Sequence, residues 1–147
     1  MGVPESSDMR EVSLNVSGIA CECRVWESRR NQRVGGLVAF RGHYRPGSAG
    51  TDDALWLKWR LDEFYELARP DGLVVDCREL DYTWGDDLHL RPRSRRLPDG
   101  FPYRLVIRLE QQEAFAFAEP RECHRFELVA ALAEVHAALQ LLRGWGG

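Results

Sequence analysis

The sequence predicts a single α/β domain over residues 10–143, built as one small mixed sheet of about five strands with two main helices. Three observations predict it. An apolar run at Gly35–Phe40, an amphipathic stretch from Thr51 to about Ala68 and a second apolar run at Leu73–Cys77 follow one another with turn residues between them. That order is the sequence form of a strand–helix–strand unit, which closes as a right-handed parallel crossover. Strict alternation ahead of the unit predicts a hairpin partner, and a long apolar stripe behind it predicts a covering helix. At 147 residues and 44% hydrophobic, the chain is near the usual size of one domain and buries a core without staples.

Residues 1–9 are polar and aperiodic and read as a frayed terminus. From Glu11 the pattern alternates. Val12, Leu14 and Val16 share one strand face, and Ile19, Cys21, Cys23 and Val25 continue it after a phase shift at Ser17-Gly18, where a bulge or tight turn restores the buried face. The charged stretch Glu27–Arg33, with Asn31 and Gln32 at its tip, forms a hairpin with Gly35–Phe40. Pro46, Gly47 and Gly50 mark a loop, after which Thr51 is the expected N-cap and Asp52 and Asp53 complement the helix dipole. Leu57, Leu61, Phe64, Tyr65 and Ala68 make one helical stripe, widened by Trp56 and Trp59, and Arg69-Pro70-Asp71-Gly72 ends it.

Leu73–Cys77 is short and mostly apolar, as a strand covered on both faces is. Arg91–Gly100 holds two prolines and a glycine and reads as a surface loop. In Tyr103–Leu109 the residues Leu105, Ile107 and Leu109 alternate against Arg104 and Arg108, with Val106 implying partial cover on the second face. A second helix is expected over about Glu122–Leu142, with Leu128, Leu132, Val135, Leu139 and Leu142 on one stripe. On so small a domain that stripe is a core-packing face rather than a coiled-coil seam. Residues 144–147 read as a flexible tail.

Net charge is −3 with a pI of about 5.8, which supplies no global field for nucleic acid or an anionic membrane. No apolar run approaches a bilayer span, so neither a membrane nor a nucleic-acid partner is expected. The first residues carry Glu and Asp where a secretory signal is basic, and no apolar h-region follows; a cytoplasmic location is expected. Cys21, Cys23, Cys77 and Cys123 then read as reduced, buried apolar thiols, because Cys21-Glu22-Cys23 lacks the spacing of zinc ligands. Ser48 lacks the glycine two residues ahead that a nucleophile elbow needs, and no phosphate-cradling or dinucleotide-binding glycine motif occurs. No catalytic residue, metal or cofactor is assigned.

The segment Gly72–Leu88 resembles the middle of STAS domains, the fold of sulphate-transporter cytoplasmic domains and anti-sigma-factor antagonists. There an apolar strand ending in Asp and small residues leads through an apolar–aromatic pair to an Asp-Ser-Ser-Gly-Leu motif that opens a helix. The similarity spans about residues 34–88, and the late helix stands where that family ends. It implies an interaction module with a regulatory role. The motif position here carries Trp84-Gly85-Asp86-Asp87, so the family's phosphorylatable serine has no counterpart and Asp86 supplies a permanent negative charge instead. A second resemblance, of Gly85-Asp86-Asp87-Leu88 to the Gly-Ala-Asp-Leu-like motif of crotonase-like enzymes, implies an acyl-CoA site, although those folds need a much longer chain.

Glu79, Asp81, Asp86 and Asp87 follow the carboxyl end of the second parallel strand, where open α/β sheets bind ligands, with Arg78, His89, Arg91 and Arg93 near enough in sequence to neutralise them. Trp84 either plugs the core or anchors a partner. The leading expectation is a non-catalytic protein–protein interaction or regulatory module whose contact residues are Tyr82, Thr83, Trp84, Asp86 and Asp87, with a protein as partner. Arg91, Arg93, Arg95 and Arg96 form a basic loop suited to an anion. The alternative is a small ligand- or metal-binding enzyme using the acidic cluster. Oligomeric state is left open.

Overall fold

The computed structural model describes residues 5–82, 88, 90–92, 97–116 and 120–143, and within them the chain forms one five-stranded mixed sheet with two α-helices. The strands lie in chain order: β1 (Ala20–Glu27), β2 (Val34–His43), β3 (Gly72–Asp81), β4 (Tyr103–Val106) and β5 (His124–Arg125). β1 runs antiparallel to β2, and β2 to β5 are mutually parallel. The pairing on which the expected crossover depends is present, with Leu37 beside Val74 and Val38 beside Val75 in the same direction.

Helix α1 (Gly50–Ala68) makes that crossover and covers one face of the sheet, where Leu57, Leu61 and Phe64 pack with Val38, Phe40, Leu73, Val75 and Leu105. Helix α2 (Leu128–Gln140) covers the other, where Ala131, Val135 and Leu139 pack on Val74 and Val106. Alternation along β3 and β4 thus feeds two separate cores. The glycines of β2 make room for the aromatics above and below it: a Cβ on Gly35 would stand 2.2 Å from the Trp26 indole, and one on Gly36 would stand 2.5 Å from the Phe64 ring.

Polar side chains fix how the elements meet. Asn31, in the β1–β2 turn, donates to the carbonyls of Leu139 (2.7 Å) and Leu142 (2.9 Å) at the carboxyl end of α2, sharing the Leu139 carbonyl with the Leu142 amide (3.1 Å). Asp71 accepts from the Val34 amide at 2.9 Å and from Arg33 at 3.0 Å, tying the end of α1 to the start of β2. Glu134 on α2 accepts from Arg125 (2.6 Å) and Arg104 (3.2 Å), and the hydrogen bond from Arg125 holds its carboxyl below the usual range against opposing burial.

Four expectations change. Val12–Val16 is not a strand; Val12 and Leu14 are exposed, and the backbone that follows is tied to the helix layer through Arg45 to the Val16 carbonyl and Trp56 to the Ile19 carbonyl, each at 2.9 Å. α1 begins at Gly50 with Ala49 as N-cap, because a 3-10 turn over Gly47–Ala49 runs straight into it, so Thr51 lies inside the helix. Residues 122–127 are not helical: a 3-10 turn precedes β5, which pairs with β4 and supplies the fifth strand, and α2 starts at Leu128. Leu109 leaves the strand pattern and is exposed in a 3-10 turn over Leu109–Gln111.

β3 carries one residue more than β2 near its end. Ala39 pairs with Asp76, but Arg41 pairs with Glu79, so Cys77 and Arg78 together oppose Phe40. The bulge returns Leu80 and Tyr82 to the core that holds Leu73, Val75 and Cys77. Its carbonyls are met by the segment after β4. Gln111, almost fully buried, donates to Cys77 (3.1 Å) and Leu80 (2.8 Å), and Arg108 donates to the carbonyl of Arg78.

Candidate functional site

Parallel strands β2, β3 and β4 end on one rim, and α2, which packs mainly on β3 and β4, leaves much of its side of β1 and β2 open there. The register places Glu22 and Arg24 of β1 on this side with Ala39 and Leu37 of β2. The result is a cavity of about 350 Å³ at the rim, with Leu37, Ala39 and Leu128 as apolar lining. A second hollow of about 480 Å³ shares Arg24 and Leu37 with it and reaches Trp26, Leu132 and His136; the Trp26 indole donates to His136 Nδ1 at 3.2 Å.

The charged lining is paired internally. Glu22 bridges Arg24 (2.8 Å) and Arg41 (2.6 Å), and Arg41 reaches on to Glu79 at 3.2 Å. Arg78 meets Asp76 through both Nε and Nη2 at 3.0 Å, a bidentate pair between the bulge and the last regularly paired residue before it. The hydrogen bond from Arg24 holds the Glu22 carboxyl below its usual range, and the one to Asp76 raises Arg78 further above neutrality. The opposite formal charges along the groove compensate one another.

No known protein-family model, curated protein or solved structure matches the chain. Tyr82 lies in the core, edge-on to Tyr44 at 4.7 Å and tilted against Phe115 at 5.0 Å, so it anchors the root of the 82–88 segment; Leu88 is buried as well. Thr83, Trp84, Asp86 and Asp87 lie outside the described residues, as do His89, Arg93, Arg95 and Arg96. Arg91 stacks its guanidinium 4.5 Å over the Tyr103 ring. Of the acidic cluster, Glu79 meets Arg41, and Asp81 meets His43 at 3.0 Å. Among the described residues no group of three or more His, Cys, Asp or Glu is placed to hold a metal ion.

The thiols differ from the expectation of uniform burial. Cys77 is buried, and burial raises its pKa; Cys23, on the edge strand, is exposed. Its sulfur lies 3.7 Å from that of Cys21; the hydrogen bond between them outweighs desolvation and, with help from Arg60, lowers Cys23 to about 7.

Two clusters escaped sequence reasoning. The groove's ion pairs join residues far apart in the chain. The carboxylate of Asp53 is held by the Ser17 hydroxyl (2.6 Å), the Arg45 amide (2.8 Å) and the Arg45 guanidinium (3.0 Å). The one available signal was an Asp at a helix start in phase with Leu57 and Leu61, a place for an apolar residue unless the charge is held.

Proposed function

We propose that the chain is a non-catalytic protein–protein interaction or regulatory module of the STAS-like kind, which docks a protein partner on the rim where β2 and β3 end. The contact surface comprises the 82–88 loop, with Thr83, Trp84, Asp86 and Asp87, and the groove at the rim. The observation that carries this reading is the half-open sheet face, an apolar floor of Leu37 and Ala39 between walls of paired charge. Arg24, Arg41 and Arg78 stand against Glu22, Asp76 and Glu79, so the six formal charges cancel. A small ion finds little net field in such a groove. A folded partner brings apolar area together with charges of both signs and exchanges ion pairs one for one. The chain leaves the same rim at Tyr82, and its root there is held by core packing.

The rival reading, a small ligand- or metal-binding enzyme using the acidic cluster, draws on the cavity's size, which is within the range of small-ligand sites. One set of measurements separates the two. Partners captured on the intact chain are purified, and binding is measured by calorimetry. Trp84→Ala, the double variant Asp86→Ala/Asp87→Ala and Arg41→Ala are expected to weaken binding by about tenfold or more. Leu67→Ser, at an exposed position of α1, should bind as the parent does. Unchanged binding by the folded rim variants rejects this surface. A rise of several degrees in melting temperature with a divalent cation, a nucleotide or an acyl-CoA, abolished by Glu79→Ala or Asp86→Ala, assigns the rim to a small ligand instead.

A further inference from the structure

β1 is the long open edge of the sheet. Its eight residues pair with β2 on one side, and among the described residues it has no second sheet neighbour, whereas β5 at the opposite edge is two residues long. An edge of that length is a template for another strand. Its side chains decide which one. Cys21, Cys23 and Val25 lie on the α1 side, opposite Phe40, Val38 and Gly36, and Glu22 and Arg24 lie on the other. Val25 is 56% exposed.

Opposed residues in an antiparallel ladder share a face, so two copies of one strand related by a two-fold axis normal to the sheet must centre on a residue that faces itself. Centred on Glu22, two carboxylates meet; centred on Arg24, two guanidiniums meet. Centred on Cys23, Glu22 opposes Arg24 of the second copy, Arg24 opposes Glu22 of the second copy, and Cys21 opposes Val25 twice. This register sets opposite charges and apolar side chains against each other on both sides of the axis. We propose that the chain self-associates by antiparallel pairing of β1 with β1 of a second copy, centred on Cys23, joining two five-stranded sheets into one of ten strands. α2 packs mainly on β3 and β4, away from the seam. The pairing uses the backbone edge of β1, and Glu22 and Arg24, which set its register, also line the groove at the rim.

Sedimentation velocity on the intact chain up to about 100 µM, where a micromolar Kd is saturated, reports the dimer. Glu22→Arg and Arg24→Glu each set like charges against one another twice and are expected to weaken self-association by about tenfold or more. Mixed one to one, the two variants face each other with opposite charges and are expected to associate. Oxidised glutathione supplies a second readout in Cys21→Ser protein: two Cys23 thiols lose two protons and two electrons to form the disulfide, and one glutathione disulfide is reduced to two glutathiones. The Cys23–Cys23 peptide is expected by mass spectrometry and is lost when Arg24→Glu is added. A parent chain that stays monomeric, charge variants that dimerise as the parent does, or a mixture no more associated than its components overturns the proposal. If a charge variant fails to fold, absence of the Cys23–Cys23 peptide from folded Cys21→Ser protein overturns it alone.

Discussion

Asp53 has no exposed surface, and burial by itself would push its carboxyl toward neutrality. Hydrogen bonds from the Arg45 guanidinium, the Ser17 hydroxyl and the Arg45 amide outweigh that and hold it below the usual range. A depressed folded pKa contributes stability that is complete above the ordinary aspartate value of about 4 and is lost as pH falls through the lower folded value. Asp53→Asn is expected to cost about 2 kcal/mol at pH 7, less than a fully buried pair because Arg45 is half-exposed. In urea titrations the parent's lead should shrink between pH 5 and pH 3; a constant lead contradicts the assignment. Cys23 offers a kinetic check. With a pKa of about 7 it should alkylate first among the described thiols, at pH 6 about a tenth as fast as at its plateau. Cys21→Ala removes the hydrogen-bond partner and should move that midpoint toward the ordinary thiol value of about 8.5. Buried Cys77 should react only on unfolding.

Strand β3 and its neighbours show why some elements were readable in advance and others were not. The unit β2–α1–β3 followed from periodicity, since Leu57, Leu61 and Phe64 repeat as a helix repeats and Val74-Val75 can only be a strand covered twice. His124-Arg125 is too short to carry any period, so the fifth strand was absorbed into the helix behind it. The alternation of Val12, Leu14 and Val16 misled for the opposite reason, being real but without a partner strand. The bulge has no sequence mark of its own; what reveals it is Gln111, a buried amide serving two carbonyls. Gln111→Leu should cost about 2 kcal/mol in urea denaturation, because the carbonyls of Cys77 and Leu80 lose that donor in the interior. Gly35→Ala should cost about 1–3 kcal/mol by driving a methyl into the Trp26 indole, and the penalty should fall when Trp26→Ala is present as well. An undiminished penalty would place the strain elsewhere.

Across the molecule, one sheet separates two cores that share its backbone. Leu61→Ala in the larger core and Leu139→Ala in the smaller should each cost about 3 kcal/mol, and each should shift one common unfolding transition rather than create a second. Two resolved transitions would mean that the layers melt independently. The rim could be located from sequence because parallel strands end together; its groove could not, because Glu22, Arg41, Asp76 and Arg78 converge only once the register of three strands is fixed. One surplus residue in β3 stands between Cys77 and Glu79, where two residues oppose Phe40. Deleting Arg78 would restore simple alternation, with Glu79 still beside Arg41 and Tyr82 still in the α1 layer, and would remove the guanidinium that grips Asp76 in the groove. The extra position thus lends the rim a cation, and hands Arg108 a carbonyl to grip, at no cost to the strand's inside and outside; a one-codon deletion would take both away while every core side chain kept its layer.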